Sequence, residues 1–445
     1  MSEEAVPAAV AAARLPTLAV ATIGHVRSGK TSVVAALTLV AARLAGYTSI
    51  YRSVSELDRR GGSPPLLRSD LTDEREAVGE HDDPPTLTVR GTKEVLALPS
   101  RRIVAIDCPG RRPWLKNVAR GVAVADALLL VVSAPDSVQS QAEEHLRLAR
   151  ALGHEQVVVF LNKCDEVFDL EWLDLVERDV RETLDRCGFD GDEARILRGA
   201  AWPVLAGDDA WEASLRDLLG ALETDLSLPQ WTDAGAPLVY VDRCFRARRP
   251  NNRVLIEGRV RRGSIAVGDT LRLCGLGLRS SVVVSSIENF HRRIPRAIAG
   301  EQIGMLIYRP DDPLRPYEIR SGQALVAPGG PPTAWQLEVE LDLLGAVENG
   351  RSTPLREGHD LLCIFGTVLL SGWLRLEGRP PIAAGERGRA RIHLRGDAYL
   401  EPGMTFALRD GNQGPWSGKE PRKARWGGLV GSGRILAAEP VNAAG

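Results

Sequence analysis

The run Gly24-His25-Val26-Arg27-Ser28-Gly29-Lys30-Thr31, followed by Ser32, has the residue types and spacing of a phosphate cradle. In a G-x-x-x-x-G-K-T segment the glycines let backbone N–H groups turn inward around a polyphosphate. A helix N-terminus behind them adds positive potential. Lys30 is then placed to reach the β- and γ-phosphates, and the Thr31 hydroxyl to ligate Mg2+. The pattern is specific when a strand precedes it and a helix follows, as Leu18–Ile23 and the stretch from Thr31 predict. A second set, Asp107-Cys108-Pro109-Gly110, closes the apolar run Ile103–Ile106. A carboxylate at the carboxyl end of a strand holds Mg2+ through water, and the Gly110 N–H can bond a γ-phosphate. Alone, D-x-x-G is a turn; one strand-sized interval after a phosphate cradle it gains meaning. The third set, Asn162-Lys163-Cys164-Asp165, follows Val157–Leu161. Asp165 can accept from the N1–H and 2-amino groups of guanine, which adenine cannot supply as a pair. Asn162 would contact the base edge, and the Lys163 stem would cover one ring face. The bland alternative is a polar turn in which Asp165 caps the next helix. Three sets in this order predict binding of GTP or GDP with Mg2+.

The elements around these sets fall into two regimes. Residues 16–230 alternate short apolar runs (Thr17–Ile23, Ile103–Ile106, Ala127–Ala134, Val157–Leu161) with helical stretches (Thr31–Leu44, Ala142–Leu152, Trp172–Cys187). Near-continuously apolar strands between amphipathic helices predict a mostly parallel sheet with helices on both faces. After the polar, Gly/Pro-bearing segment Trp231–Pro237 the texture becomes β-rich and glycine-punctuated. Val254–Val260, Thr270–Cys274, Val282–Ile287 and Gly304–Tyr308 form one set of predicted strands. Beyond the cluster Pro328–Pro332 come Trp335–Leu343, Leu361–Leu370, Arg389–Leu394 and Met404–Arg409. The expected architecture is an α/β phosphate-loop domain over 1–232, then two all-β barrels over 233–330 and 331–445.

Composition bounds the rest. A chain of 445 residues is too long for one core, and 44% hydrophobic with 26% charged residues is ordinary for a globular protein. No apolar run approaches the ~18–20 residues that cross a bilayer. Residues 1–14 carry Glu3 and Glu4 and no basic leader, so they do not read as a secretory signal. The six cysteines (108, 164, 187, 244, 274 and 363) lack C-x-x-C spacing. Neither a disulfide framework nor a zinc site is indicated, and a reducing cytoplasm fits. From Pro237 onward 30 basic and 21 acidic residues give +9, whereas the residues before it carry −11. A basic second half suits a polyanionic partner; Arg-rich solvated strand faces would give the same count.

The three sets also carry a family resemblance. "TIGHVRSGKTS", "DCPG", "VVVFLNKCDEV" and "RILRGAAW" resemble bacterial elongation factor Tu and related translational GTPases. "LIEGRVRRGSIAVGDTLRL", "SIENFHR", "AGEQIGML", "SGQALVAPG", "NGRSTPL" and "LEPGMTFALRDG" extend the likeness over about residues 16–440. The resemblance implies a GTP-hydrolysing G domain and two barrels. It further implies partners: aminoacyl-tRNA, the ribosome and a nucleotide exchange factor, for a monomeric cytoplasmic protein without a membrane. It aligns Thr88 with the family's γ-phosphate and Mg2+ sensor, and Ala200-Ala201-Trp202 with its last guanine motif. It also aligns Glu288, Phe290 and Arg351 with tRNA-contacting positions. For Glu288 and Phe290, a pair retained for barrel packing is the plain alternative.

Several positions depart from the family. Arg27 and Ser28 replace its Asp and His in the loop, and Arg111 stands where its His helps place the attacking water. An arginine has no acceptor to hold a water, so slow hydrolysis is expected; it could instead neutralise transition-state charge or point into solvent. The charged, Gly/Pro-bearing stretch 51–85 is longer than the family's and reads as a mobile loop. Gln302, Glu257 and Arg243 replace family residues around the amino-acid pocket, and Gly366 replaces an Arg. Two functions follow: delivery of aminoacyl-tRNA with GTP hydrolysis, or a nucleotide-dependent switch that regulates another partner without delivery. A sulfate adenylyltransferase-type GTPase fits the "FLNKCD" to "RGAAW" stretch less well.

Overall fold

The computed structural model describes residues 15–44, 92–109, 115–246, 253–290, 292–310, 312–348, 350–411 and 428–440. Thr88, Gly110, Arg111 and the stretch 51–85 lie outside the described residues. The chain divides into two compact units, Met1–Arg150 with His154–Pro229, and Ala151–Gly153 with Gln230–Gly445.

The first unit follows the α/β pattern. In order it contains β1 (Thr17–Ile23), α1 (Lys30–Leu44), β2 (Thr92–Ala97), β3 (Arg102–Asp107), α2 (Leu115–Val124), β4 (Ala127–Ser133) and α3 (Ser140–Ala151). Then come β5 (Val157–Asn162), α4 (Leu170–Arg186), β6 (Arg195–Arg198), α5 (Ala201–Ala206) and α6 (Glu212–Thr224). The sheet order is β2-β3-β1-β4-β5-β6. The pairs β1–β3, β1–β4, β4–β5 and β5–β6 are parallel, and only the edge strand β2 runs antiparallel. β4 is buried at every position, which suits its apolar run Ala127–Val132. α1 packs Val33, Ala36, Leu37 and Val40 into the core with Leu129 and Phe160. Each such aliphatic side chain contributes about 1.5–3 kcal/mol on burial. Because the strands are parallel, the carboxyl ends of β1, β3 and β5 share one edge. Those ends carry Gly24, Asp107 and Asn162.

The second unit is all β. Its first set is β7 (Leu238–Arg246), β8 (Val254–Arg262), β9 (Ser264–Ala266), β10 (Thr270–Gly275) and β11 (Leu278–Asn289). β12 (Arg292–Ile294), β13 (Arg296–Ile298), β14 (Gln302–Tyr308) and β15 (Ala324–Val326) complete it. The order β10-β15-β7-β8-β14-β11 closes on itself through the β10–β11 pairing. The second set is β16 (Ala334–Leu343), β17 (Asp360–Phe365), β18 (Val368–Arg375), β19 (Arg387–Ala398), β20 (Thr405–Asp410) and β21 (Leu429–Pro440). It is a closed barrel, β16-β19-β18-β17-β20-β21. Both six-strand rings have apolar interiors, one around Val241, Ile256 and Ile307, the other around Leu337, Phe365 and Phe406. The single strand expected over 361–370 is instead the hairpin β17–β18, turned at Gly366 with φ 56°. A continuous apolar run hid that turn, because only one glycine marks it. The segment after Trp231 is more than a linker at its start. The Trp231 ring lies 4.5 Å from the buried Arg259 guanidinium. A Cβ at Gly300 would come within 2.5 Å of that ring. Between the two rings, Tyr240 donates to the Tyr399 carbonyl at 3.0 Å and Arg262 pairs with Glu401 at 2.9 Å. Among the described residues no helix is long and apolar enough to cross a membrane.

Candidate functional site

The loop between β1 and α1 owes its path to two glycines. Gly24 has φ 141° and its added Cβ would meet the Val131 carbonyl at 2.3 Å; Gly29 has φ 88° and would meet Asn162 Nδ2 at 2.2 Å. Neither position admits a side chain. Lys30, which opens α1, turns its ammonium under the loop and donates to the carbonyls of Gly24 at 3.2 Å and His25 at 2.5 Å. Burial pulls its pKa down from the usual lysine value to about 8, with Asp107 and Cys108 opposing the shift. The loop is gripped from α3 as well. Gly24 N–H approaches His145 Nδ1 and Val26 N–H approaches Gln141 Oε1, both at 3.5 Å. Complete burial drives the His145 pKa down to about 3, so a neutral imidazole faces the amide. Sequence reasoning missed this pair; its signal was two polar residues four apart on the core side of a helix.

Thr31 and Asp107 come together although 76 residues separate them. Thr31 Oγ1 donates to Asp107 Oδ2 at 2.7 Å, and Asp107 is 1% exposed. A hydroxyl and a carboxylate at this separation are an all-oxygen donor pair, the chemistry Mg2+ prefers. The residues fit that ion.

Asn162 ends β5 with both ends of its amide engaged. Nδ2 donates to the Ser28 carbonyl at 2.9 Å, and Oδ1 accepts from the Ala201 N–H at 3.0 Å. It therefore joins the phosphate loop to the 200–202 segment, a bridging task that the expected base-edge contact did not anticipate. Lys163 follows in the left-handed region, with φ 66° and ψ 32°. The chain is then pinned by Cys164 N–H donating to Gly199 O at 3.1 Å. Gly199 has no room for a side chain, since a Cβ would lie 2.6 Å from the Phe160 ring. Asp165 is half-buried and makes no hydrogen bond or ion pair among the described residues. The helix cap is Asp169, whose side chain accepts from the N–H groups of Glu171 and Trp172. The alternative role for Asp165 as the cap of α4 is thus removed. Ala200 and Ala201 are buried and Trp202 is exposed beside them.

The barrel positions do not assemble in this way. Glu288 and Phe290 lie at the end of β11, Glu288 facing Arg293 at 3.7 Å across the β11–β12 hairpin. Phe290 has φ 46°. Arg351 is 9% exposed and its guanidinium is used inside its own barrel. It donates to Asp410, to Thr353 O and to Thr353 Oγ1, while His359 Nε2 lies 2.8 Å from the same Asp410 carboxylate. Arg243 and Glu257 are cross-strand neighbours on β7 and β8, and Gln302 Nε2 donates to Asp242 at 3.2 Å.

Residues 15–226 match the family model of the elongation factor Tu GTP binding domain. Over this segment the chain is similar to the GTP-binding domain of elongation factor Tu. The loop, the Thr31–Asp107 pair and the 162–165 segment all fall within the matched residues, in the first unit. A crystal structure of a bacterial selenocysteine-specific elongation factor, EF-Sec, is similar in fold along nearly the whole chain. The TM-score is 0.66 at 20% identity, covering 95% of this chain and 58% of that one. The chain thus spans little more than half the length of that relative. At such identity the likeness is one of fold.

Proposed function

We propose that this translation elongation factor-like GTPase binds Mg2+·GTP at the edge of the first unit's sheet, hydrolyses it, and uses the GTP and GDP forms as a switch. The observation that carries this reading is the Asn162 amide, which ties the phosphate loop to the 200–202 segment beside the guanine reader. Lys30 would exchange the loop carbonyls for β- and γ-phosphate oxygens. Thr31 would ligate Mg2+ directly and Asp107 through water, and bound Mg2+ would supply charge neutralisation of the phosphates. Asp165, with no internal partner among the described residues, would read guanine, and the Lys163 stem would cover the ring. Thr88, Gly110 and Arg111 complete the proposal as γ-phosphate sensor, γ-phosphate amide and poor water-placing residue. Arg111→His is expected to raise single-turnover hydrolysis. A fast parent enzyme that Arg111→Ala slows greatly would mean that Arg111 works in catalysis.

The finer reading is delivery of a restricted class of aminoacyl-tRNA to the ribosome. Its support is the barrel pair, the basic second half and Phe290 as a stacking surface for an unpaired base. The EF-Sec relative is named for a single amino acid. An exchange factor and a monomeric cytoplasmic state enter on family grounds. A second reading, a switch without tRNA, draws support from Arg351, whose guanidinium is occupied by Asp410 and Thr353. Ribosome-stimulated GTP turnover separates them. Stimulation that requires aminoacyl-tRNA supports delivery, and ribosome-independent turnover supports the switch.

A further inference from the structure

The phosphate loop carries a second cation besides Lys30. Arg27 stands at its apex in the left-handed region, φ 64°, a conformation that disfavours an L side chain and that clusters at functional sites. Its side chain is exposed, and its guanidinium makes no hydrogen bond or ion pair among the described residues. Many other arginines of this unit are held by carboxylates, as Arg181 is by Glu177, Arg198 by Asp174 and Arg216 by Glu212. The neighbouring amides differ in the same way. Gly24, Val26 and Ser28 N–H groups are engaged by His145, Gln141 and His25 O, whereas those of Arg27 and Gly29 donate to nothing among the described residues. Arg27 lines an open cleft of about 460 Å³ with His25, Val26, Asp136 and Gln139. The Lys30 ammonium, by contrast, donates to the loop carbonyls of Gly24 and His25. The apex cation is left without internal work.

We infer that Arg27 is a charge-neutralising catalytic residue of this GTPase, contributed by the phosphate loop itself and directed at the β–γ region of bound GTP. The inference rests on the nucleotide reading above. In hydrolysis a water oxygen bonds to the γ-phosphorus and the bond from that phosphorus to the β–γ bridging oxygen breaks. The electron pair stays on the bridging oxygen of GDP, and the water proton ends on the released phosphate. Negative charge therefore grows on the β-phosphate side, where a planar guanidinium makes charge-assisted, fork-shaped hydrogen bonds. The family pattern has an Asp at this position, so the exchange reverses the sign of the charge beside the polyphosphate. It does so in a chain whose position 111 has lost the water-placing His.

The test compares the full chain with Arg27→Gln, Arg27→Lys and Arg27→Asp. Because Arg27 is exposed, all three are expected to melt at the parent temperature. GDP affinity should change less than about tenfold, whereas single-turnover hydrolysis in Arg27→Gln should fall on the order of 10²–10³-fold. Arg27→Lys should fall less. A binding readout goes with the rate: the parent should retain GDP more tightly with aluminium fluoride, a mimic of the transferring phosphoryl group, and Arg27→Gln should not. Equal trapping and equal rates in parent and Arg27→Gln would overturn the inference while leaving GDP binding intact. Faster hydrolysis in Arg27→Asp would overturn it too. A parent chain that binds no guanine nucleotide would overturn the nucleotide reading itself, and this inference with it.

Discussion

The sheet edge of the first unit and the outer strands of the barrels are built by different means. At the sheet edge, geometry comes from the main chain. Two glycines at φ 141° and 88° shape the loop, parallel strands bring Asp107 and Asn162 to it, and one amide bolts the parts together. On the barrels, the residues aligned with tRNA contacts come from separate strands and depend on side-chain direction. There Arg351 has turned to Asp410 and Glu288 faces Arg293. A site encoded in backbone tolerates divergence around it. A site encoded in side chains is lost one contact at a time.

The largest expected effect falls on the first region. Lys30→Ala removes the buried ammonium and should weaken GTP and GDP by about 2–5 kcal/mol, roughly 30- to 5000-fold. Phe290→Ala should leave nucleotide affinity unchanged. Fluorescent-nucleotide titration checks both, and a comparable loss in the two variants would erase the contrast between regions.

Next is the barrel surface. Protection of an aminoacyl ester from spontaneous hydrolysis, at fixed salt, should require at least about tenfold more of this protein than of a standard elongation factor Tu. If the resemblance holds on the barrel, Arg243, the cross-strand neighbour of Glu257, would stand beside the α-amino group of the ester and repel its positive charge. Protection of bulk aminoacyl-tRNA at nanomolar protein would contradict this.

Smaller effects separate framework from contact. Asn162→Ala leaves the Ser28 carbonyl and Ala201 N–H without their partner and should destabilise the protein by about 2–4 kcal/mol in denaturant titration. Arg351→Ala should likewise act on barrel stability, by about 1–3 kcal/mol, because it strips Asp410 of its guanidinium. An Arg351→Ala protein of parent stability would show that the internal network is dispensable.

The smallest is a pH dependence. Lys30 has a pKa of about 8 in the free protein, and bound phosphate favours its charged form. Binding therefore takes up a proton above pH 8 and is proton-neutral below it. Affinity should hold from pH 7 to 8 and then fall by at most about tenfold per unit towards pH 10. A Lys30→Arg variant that binds should lose this slope, since its guanidinium does not titrate there.

The candidate nucleotide site could be proposed from the sequence because its residues are contiguous. Gly24 to Thr31, Asp107 and Asn162 to Asp165 are fixed by spacing and by the strands before them. The roles that escaped were carried by partners distant in sequence. His145 and Gln141 reach the loop from α3, and Asn162 acts as a bolt through Ser28 and Ala201. The mostly parallel sheet was legible in the first unit, where apolar runs alternate with helices, but its strand order was not. In the barrels the β17–β18 turn at Gly366 vanished into one apolar run, and β7 and β21 were missed although each holds a short apolar run, Leu238–Val241 and Ile435–Ala438.

The central claim is that this chain keeps a working guanine reader while its barrel contacts have diverged. The direct measurement is nucleotide competition with the parent chain and Asp165→Asn. GTP and GDP should outcompete ATP on the parent, and Asp165→Asn should shift preference to xanthine nucleotides, whose 2-oxo group accepts from the new amide. Equal affinity for ATP and GTP on the parent, or an Asp165→Asn protein that still prefers guanine, would contradict it.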